Sequence, residues 1–438
     1  MKILIVDTAL GIDLARRLAV EGHKVLYFVN WIRAHPLPEE IDYGRGIFDF
    51  FGVKRIDNFY SHVDEVDLVV FTDIGWGEDA WYLREEGVPI FGAGPAELLE
   101  ADRGRAKELV EEAGIKIPRT WDFRNAEEAR KELQRFEDGK YVIKVNVVGD
   151  AFTKTYVSVN KEDALNHLDL LEAKMADALG VVVEEFVEGV EYAVGAFFNG
   201  SDFVGEKCFN FEHKRYFPGD LSCITGEMGT VIKWERDGKL FRETLLRMRD
   251  VLRELGFVGY VDMDFIVNEK GPFFLEWTMR FGYPLLSGQL VSMQDIDFGR
   301  FMYDCAVGRS VDFRIPDGRR WCTIVCVNTP PIFQGERFVI YNVDIRDLNI
   351  GLSDVIYEDG VLMNLPVQTA LYQRLLNVVG VGRRIEESVL DAYRRVVKIR
   401  MKDITYRNDI GQALIEENLE YLVGLGYEEL LDVFSEGE

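Results

Sequence analysis

The stretch YVDMDFIVNEKGPFFLEWTMRFGYP, residues 260–284, carries the clearest structural and chemical signal in this chain. Two runs of β-branched and aromatic residues flank a polar turn at Asn268-Glu269-Lys270-Gly271, a pattern typical of a β-hairpin. Such a turn places Asp264 opposite Glu276 on the paired strand, with Cβ atoms about 5 Å apart. Two carboxylates this close repel each other unless a cation lies between them. Mg²⁺ prefers carboxylate and phosphate oxygens, so the hairpin indicates a magnesium site, with a solvated acidic hairpin as the alternative.

Basic residues suited to phosphate groups occur on both sides of this hairpin in the sequence. Arg280 follows Glu276 by four residues, and its planar guanidinium suits a phosphate or a carboxylate. Lys144 lies inside the apolar run YVIKVNV, where its ammonium needs an anion or an edge position. The next segment contains Gly149 and Lys154 and is a candidate for a flap over phosphates.

Two further segments combine strands with acids or glycines. In VVVEEFVEGVE, residues 181–191, a strand runs into backbone that can hydrogen-bond a flat heterocycle, and Glu191 can take two ribose hydroxyls. An ordinary strand exit with surface acids is the alternative there. Thr225-Gly226-Glu227-Met228-Gly229 is a glycine-flanked turn whose backbone N–H groups can approach an anion.

Composition excludes several functional classes. The chain has 438 residues, with 76 acidic and 51 basic side chains and a net charge of −25, which disfavours non-specific binding to nucleic acids or anionic membranes. Its five cysteines are odd in number and form no CxxC pair, which argues against a disulfide scaffold or a structural zinc site. With no signal-peptide pattern and no long uncharged apolar stretch, we expect a cytoplasmic protein. The absence of a G-x-G-x-x-G fingerprint argues against nicotinamide chemistry.

The apolar runs predict mixed α/β and α+β structure in three domains. Residues 1–95 indicate an open α/β domain, whose functional groups are expected at the carboxyl ends of its strands. Residues 96–310 indicate an antiparallel α+β block with a smaller lobe at 120–190, and residues 311–438 a C-terminal domain rich in strands. Within the α+β block we predict charged helices over 96–113 and 240–255.

In this order, the segments resemble the ATP-grasp ligases, and within them the glycinamide ribonucleotide synthetase family. The family's D-H-K-R stretch before T-G-G-M-G corresponds to EHKR, residues 212–215, before TGEMG, residues 225–229. Its L-E-x-N-x-R-F-G-D-P motif corresponds to LEWTMRFGYP, residues 275–284, and its R-x-D-I-G signature to RNDIG, residues 407–411. The resemblance extends over essentially the whole chain. It implies an ATP-grasp fold with an N-terminal open α/β domain and a C-terminal β-rich domain.

The resemblance also implies an activity and a set of roles. Such enzymes use ATP and Mg²⁺ to phosphorylate a carboxylate, and an amine then attacks the acyl phosphate to form an amide. Carried over to this sequence, the roles fall into four groups: the metal ligands Asp264, Glu276 and Thr278; the ATP-binding residues Arg103, Lys144, Lys154, Glu184, Val187 and Glu191; the catalytic residues Lys214 and Arg280; and the substrate-binding residues Glu212, Thr225, Gly226, Met228 and Gly229. The family's flap pattern G-x-x-x-G-K-G is reduced here to Gly149 and Lys154.

The N-terminal turns depart from the family pattern. Its G-N-G-G-R-E-H turn is replaced by DTALGID, residues 7–13, and its G-P-E-x-P-L turn by TDIGWG, residues 72–77. In the family these turns bind phosphoribosylamine, whose phosphate the carboxylates of Asp7, Asp13 and Asp73 would repel. We therefore predict that these three acids bind a different amine, cationic or nucleoside-like, with glycine or another small amino acid as the carboxylate.

Two alternatives stay open at this point. One is a divergent phosphoribosylamine–glycine ligase of purine biosynthesis. The other is a catalytically inactive ATP-grasp scaffold, which the reduced flap favours and the retained pair of Asp264 and Glu276 opposes. In each enzymatic reading the expected partners are small molecules, with no nucleic-acid polymer or membrane. The expected assembly is a monomer or a weak homodimer.

Overall fold

The computed structural model describes residues 1–31, 43–145, 155–174, 180–330, 335–367 and 372–432. The candidate flap residues Gly149 and Lys154 lie outside these ranges. Among the described residues, no helix is both long and apolar enough to cross a membrane.

The N-terminal region is a parallel sheet of five strands in the order β3-β2-β1-β4-β5. The strands are β1 (Lys2–Asp7), β2 (Lys24–Val29), β3 (Lys54–Arg55), β4 (Leu68–Phe71) and β5 (Ile90–Phe91), and the helices are α1 (Ile12–Val20), α2 (Ile47–Phe51) and α3 (Gly77–Glu85). β1 and β4 are almost entirely buried, as expected for apolar runs covered on both faces. Because the strands are parallel, their carboxyl ends bring Asp7 and Thr72 to one edge.

The smaller lobe is an antiparallel sheet of four strands in the order β6-β9-β7-β8, with its own apolar core. Its elements are β6 (Thr120–Phe123), α6 (Ala126–Leu133), β7 (Tyr141–Val145), β8 (Thr155–Val157), α7 (Lys161–Lys174) and β9 (Val181–Glu185). Two helices lead into it, α4 (Leu98–Ala101) and α5 (Arg103–Glu112). The prediction of one helix over 96–113 is wrong, because Asp102 leaves the helical conformation and its side chain caps α5 at the Arg105 N–H.

The largest sheet has eight strands in the order β16-β15-β10-β11-β14-β17-β21-β18. These are β10 (Val190–Asn199), β11 (Phe203–Glu212), β14 (Gly229–Glu235), β15 (Val258–Asn268), β16 (Gly271–Thr278), β17 (Trp321–Thr329), β18 (Ile350–Leu352) and β21 (Gln373–Gly382). Asp264 pairs with Glu276 in this sheet, so this predicted pairing is confirmed, and the register shifts by one residue between Asp264 and Phe265. The sheet continues from β14 to β17 across residue 310, so strands on both sides of that predicted domain boundary share one sheet.

The remaining elements edge or cover this sheet. They are the strand pairs β12 (Arg215–Phe217) with β13 (Leu221–Ile224) and β19 (Val355–Glu358) with β20 (Val361–Asn364), and the helices α8 (Lys239–Glu243), α9 (Arg249–Glu254), α10 (Leu285–Ser292), α11 (Phe298–Ala306), α12 (Ile385–Val396) and α13 (Leu419–Gly424). The single helix predicted over 240–255 is wrong, because Thr244 has non-helical angles (φ −131°, ψ −92°) and separates α8 from a 3₁₀ turn.

Helix α12 packs directly against β21, and Gly380 makes that approach possible. A Cβ atom at Gly380 would lie 2.1 Å from the backbone nitrogen of Ala392 and 2.3 Å from the backbone oxygen of Ser388. Backbone atoms inside a helix cannot give way by that amount, so the helix would have to move off the sheet.

We expect Gly380→Ala to lower the free energy of unfolding by about 1–3 kcal/mol through overpacking. Gly139→Ala is the matched control, because a Cβ atom there meets nothing within 4 Å. Urea unfolding followed by circular dichroism measures both variants. Equal unfolding midpoints for the two would show that this helix–sheet contact does not constrain the fold.

Candidate functional site

Most of the residues singled out in the sequence line one cavity between the smaller lobe and the eight-stranded sheet. Its volume is about 400 Å³. Ten predicted site residues line it: Arg103, Lys144, Glu184, Val187, Glu191, Lys214, Thr225, Gly226, Glu276 and Arg280. An adjoining cavity of about 970 Å³ shares several of these residues and adds Thr278, Glu100 and Lys107. Apolar side chains of Val142, Phe186 and Ile266 also face the smaller cavity, which suits one flat aromatic ring.

Lys144 is held in place by an acid on the neighbouring strand. Its Nζ lies 3.0 Å from Oε2 of Glu184, and Lys107 binds the other oxygen of the same carboxylate. Burial acts to raise the pKa of Glu184, but the two ammonium groups outweigh it, and the pKa lies below its usual range. The Glu184 side chain therefore positions two lysines, which leaves mainly backbone groups at this strand exit to bind a heterocycle.

Lys107 is a site residue that the sequence reasoning missed. It follows Arg103 by four residues on α5, so the two side chains share one face of the helix. That spacing is the signal that could have identified it. Besides Glu184, its ammonium donates to Oγ1 of Thr120 at 2.9 Å.

Lys214 lies among three carboxylates. Its Nζ is 2.8 Å from Glu191, 3.0 Å from Glu212 and 3.2 Å from Glu276. Burial acts against the charged ammonium, but these acids raise the pKa of Lys214 well above its usual range. In turn, the Lys214 ammonium lowers the pKa of Glu276 to about 2. The lysine is therefore protonated across the neutral pH range and keeps Glu276 ionised. Burial raises the pKa of Glu212 despite the same ammonium.

The acids beside Lys214 have the donor chemistry of a Mg²⁺ site. Asp264 is buried, and desolvation together with the nearby Glu212 carboxylate raises its pKa well above the usual range, which signals a need for positive charge. Asp262 lies two residues earlier on the same face of β15, and its buried Oδ1 has no hydrogen-bond partner. Oxygen-only donors of this kind fit Mg²⁺. Thr278 pairs with Asp262 rather than with Asp264.

Elsewhere in the described part of the chain, Glu21, His23 and Asp297 bring three ligand atoms within 4.8 Å of one another. Both acids there already accept backbone N–H groups at the start of α11. The acids around Asp264 do not form so close a trio, and the Lys214 ammonium lies between Glu212 and Glu276.

Arg280 connects this cavity to the N-terminal sheet. Its Nη2 lies 3.3 Å from Glu100 and its Nε 3.6 Å from Asp73. Burial acts to lower the pKa of Arg280, but the two acids raise it above its usual value. The structure thus places Asp73 beside a predicted catalytic residue. Glu100, which also accepts the Met279 N–H at 2.6 Å, was not singled out in the sequence.

Asp7 fills an anion position at the start of a helix. Its Oδ2 accepts the backbone N–H groups of Leu10 at 2.8 Å and Gly11 at 3.1 Å, immediately before α1. The Tyr27 hydroxyl also donates to Oδ2, and the Thr72 hydroxyl donates to Oδ1. Burial raises the pKa of this carboxyl group despite these hydrogen bonds. Both oxygens are engaged by the protein, so the amides that could receive a ligand anion are already in use.

The structure places Asp13 in a closed network away from the cavity. Its carboxylate lies 3.2 Å from Arg16, accepts from Ser287 at 2.7 Å and accepts the Leu352 N–H at 2.8 Å. It therefore ties α1 to α10 and β18, which accounts for its burial without a ligand.

The turn at residues 225–229 divides into an open and a packed half. Thr225 and Gly226 line the cavity, whereas Met228 is buried and Gly229 begins β14. The Thr225 N–H and hydroxyl both donate to the Lys214 backbone oxygen, at 2.7 and 2.8 Å. Glu212 lies at the end of β11, beside Lys214.

Comparison with known proteins finds relatives of this chain. Residues 101–285 match the family model for the ATP-grasp (A) domain of phosphoribosylglycinamide synthetase. The phosphoribosylamine–glycine ligase of Clostridium acetobutylicum is 24% identical over 349 residues, spanning 75% of this chain and 80% of that protein. The enzyme of the same name from Fusobacterium nucleatum is 25% identical over 349 residues, spanning 76% and 80%.

Solved structures share the fold. The crystal structure of phosphoribosylamine–glycine ligase from Thermotoga maritima aligns with a TM-score of 0.71 at 19% identity, covering 94% of this chain and 100% of that chain. The biotin carboxylase domain of Hydrogenobacter thermophilus 2-oxoglutarate carboxylase aligns with a TM-score of 0.64 at 13% identity, covering 99% of each chain. Over most of its length the chain is similar to phosphoribosylamine–glycine ligases, and residues 101–285 match the ATP-grasp domain of that family.

Proposed function

We propose that this chain is an ATP- and Mg²⁺-dependent carboxylate–amine ligase. It activates glycine or another small amino acid and joins it to an amine other than phosphoribosylamine. Lys144, Lys214, Glu276 and Arg280 line one cavity, and Asp264 pairs with Glu276 on the neighbouring strand. This arrangement supports the ligase chemistry. The proposal about the amine rests on the Asp7 carboxylate, which accepts the backbone N–H groups of Leu10 and Gly11 before α1.

Different cavity residues bind different parts of the nucleotide. The backbone at Val187, which follows the Glu184 strand exit, receives the adenine, and Glu191 lies where it can accept ribose hydroxyls. Lys144, held by Glu184, and Arg103 meet the phosphates. Asp264 and Glu276 would hold Mg²⁺, which would supply positive charge beside the phosphates.

The reaction needs positioning and charge neutralisation rather than a protein nucleophile. A carboxylate oxygen of the amino acid attacks the γ-phosphorus of ATP, and ADP leaves. The amine then attacks the acyl carbon and phosphate leaves, while the amine nitrogen releases a proton. Arg280 and Lys214 steady the carboxylate and the acyl phosphate through their fixed positive charges.

Electrostatics at the N-terminal turns supports an amine without a phosphate. Two like unit charges 4 Å apart repel by about 4 kcal/mol at an effective dielectric constant near 20. That energy corresponds to roughly a thousandfold loss of affinity. A phosphate placed before α1 would meet the Asp7 carboxylate at such a distance, with no unoccupied amide of Leu10 or Gly11 to offset the repulsion.

The second candidate is phosphoribosylamine–glycine ligase activity itself, which the curated relatives carry in their names. Mg²⁺-dependent ADP release, measured with glycine and a panel of amines that includes phosphoribosylamine, separates the candidates. Release with unphosphorylated amines supports the proposal, and efficient turnover of phosphoribosylamine supports the second candidate. Neither ADP release nor ATP binding would indicate an inactive scaffold.

Glu276→Gln should reduce Mg²⁺-dependent ADP release by at least about 100-fold, because a ligand charge is lost where transition-state charge is neutralised. Glu188→Gln, at a largely exposed side chain in the same strand exit region, is the control and should retain wild-type activity. Near-normal turnover by the Glu276 variant would mean that the metal assignment is wrong.

Lys214→Met should destabilise the protein at pH 7 by roughly 1–3 kcal/mol. This loss of stability lies between the values for exposed and buried ion pairs, because the Glu276 side chain is 43% exposed. The depressed pKa of Glu276, about 2, contributes stability above its unfolded pKa that is lost as the pH falls through 2. The gap between wild type and variant should therefore narrow below about pH 4.

Urea unfolding at pH 7 and pH 3 measures this gap. Lys140→Met serves as the control, since Lys140 lies 3.8 Å from the largely exposed Glu188. A gap that is the same at both pH values would contradict the ion-pair account of Lys214.

Asp7→Asn should admit a phosphate that the wild-type protein excludes, because the substitution removes the charge while preserving one acceptor oxygen. Ribose 5-phosphate is the probe, and isothermal titration calorimetry is the measurement. We expect binding by the variant to be at least tenfold tighter than by the wild type. Asp49→Asn, on α2, controls for the change in net charge. Tight binding of ribose 5-phosphate by the wild type would contradict the argument.

A further inference from the structure

Glu227 is a buried acid in the turn that borders the cavity. It is 3% exposed, and its Oε1 has no hydrogen-bond partner among the residues that the structure describes. Buried carboxylate oxygens are almost always paired, so an unpartnered one in a fixed position calls for a physical explanation.

The charged groups that face Glu227 do not neutralise it. They are Glu212, Arg374, Lys214 and Glu191. Lys214 is engaged by Glu191, Glu212 and Glu276. The NH groups of Arg374 donate to the backbone oxygens of Tyr283, at 3.2 Å, and of Glu227 itself. Within the described ranges, no ion pair includes the Glu227 carboxylate, and burial raises its pKa well above the usual range.

The turn is rigid on its packed side and open on its other side. Met228 donates its N–H to the His213 backbone oxygen at 2.8 Å, and Thr225 is fixed to Lys214. A Cβ atom at Gly226, by contrast, would meet nothing within 4 Å, and Gly226 lines the cavity. Arg374 joins this turn to Tyr283, three residues after Arg280. Arg280 therefore lines the cavity, and Glu227 directly follows the cavity-lining Gly226 in a turn that Arg374 connects to the segment after Arg280.

We propose that Glu227 is a specificity-determining residue that binds a substrate ammonium group. The inference rests on the proposed ligase function and refines it. Opposite charges at Arg280 and in the turn behind Gly226 suit a zwitterion, with the substrate carboxylate at Arg280 and the ammonium at Glu227. Such an ammonium supplies the hydrogen bonds and the positive charge that the buried carboxylate lacks.

The test uses hydroxylamine as a general acceptor, so that the natural amine need not be known. Mg²⁺- and ATP-dependent hydroxamate formation is measured with small amino acids and with their desamino counterparts, beginning with glycine against acetate and alanine against propionate. The wild type should favour each amino acid by at least tenfold in kcat/KM. Glu227→Gln should lower that preference at least about tenfold, to the level of the desamino acid, while ADP affinity stays unchanged. Glu188→Gln should behave as wild type.

Further comparisons in the same assay identify which substrate carries the ammonium group and which results would overturn the proposal. If the group belongs to the second substrate, Glu227→Gln leaves the glycine-to-acetate ratio intact but lowers the use of methylamine relative to hydroxylamine, which also supports the proposal. Unchanged ratios in both comparisons would overturn it, with the proposed ligase function still standing. No hydroxamate from the wild type with any carboxylate would overturn the ligase function as well.

Discussion

The ammonium of Lys214 is the interaction on which the candidate site depends. Glu191, Glu212 and Glu276 converge on it, from β10, β11 and β16, within 3.2 Å. Carboxylates this close are mutually repulsive in a partly buried site unless a positive charge lies among them. One lysine therefore permits a cluster of acids that can bind metal and ribose in a chain whose net charge is already −25.

Opposite charges are also paired at the amine end of the cavity. Arg280 is shared by Glu100 and Asp73, so its guanidinium is oriented before any ligand arrives. The Asp7 carboxylate accepts the backbone N–H groups that precede α1. The nucleotide end thus has Lys144 and Arg103 available for phosphates, whereas the amine end offers acids. This contrast, rather than the total charge, gives the proposed substrate preference its physical basis.

Local patterns in the sequence were enough to predict the hairpin and the pairing of Asp264 with Glu276. The register next to the turn was not predictable in the same way, because the turn pairs Asn268 with Gly271 and a shift between Asp264 and Phe265 then brings Asp264 opposite Glu276. The alternating strands and helices before residue 95 likewise predict the parallel sheet. Breaks such as those at Asp102 and Thr244 depend on single-residue conformations that a helical charge pattern does not show.

Roles that depend on partners distant in the sequence could not be predicted. The pairing of Glu184 with Lys107 joins residues 77 positions apart, and that of Asp13 with Leu352 joins residues 339 positions apart. The sequence shows that Asp7, Asp13 and Asp73 are acids, but only the fold separates the first two, which bind protein groups, from the third, which lies beside Arg280. The lack of a hydrogen-bond partner for Oε1 of Glu227, among the described residues, can be recognised only from the positions of its neighbours in the fold.

The central claim, that this cavity activates a carboxylate by phosphorylation, can be tested without knowing the natural amine. Small amino acids labelled with ¹⁸O in the carboxyl group are incubated with the protein, ATP, Mg²⁺ and hydroxylamine, and the inorganic phosphate is analysed by mass spectrometry. An acyl phosphate transfers one carboxyl oxygen to phosphate when the acceptor attacks. We predict one ¹⁸O atom per phosphate for the preferred amino acid. Phosphate that is released without the label would show that ATP is hydrolysed by water and would contradict the account.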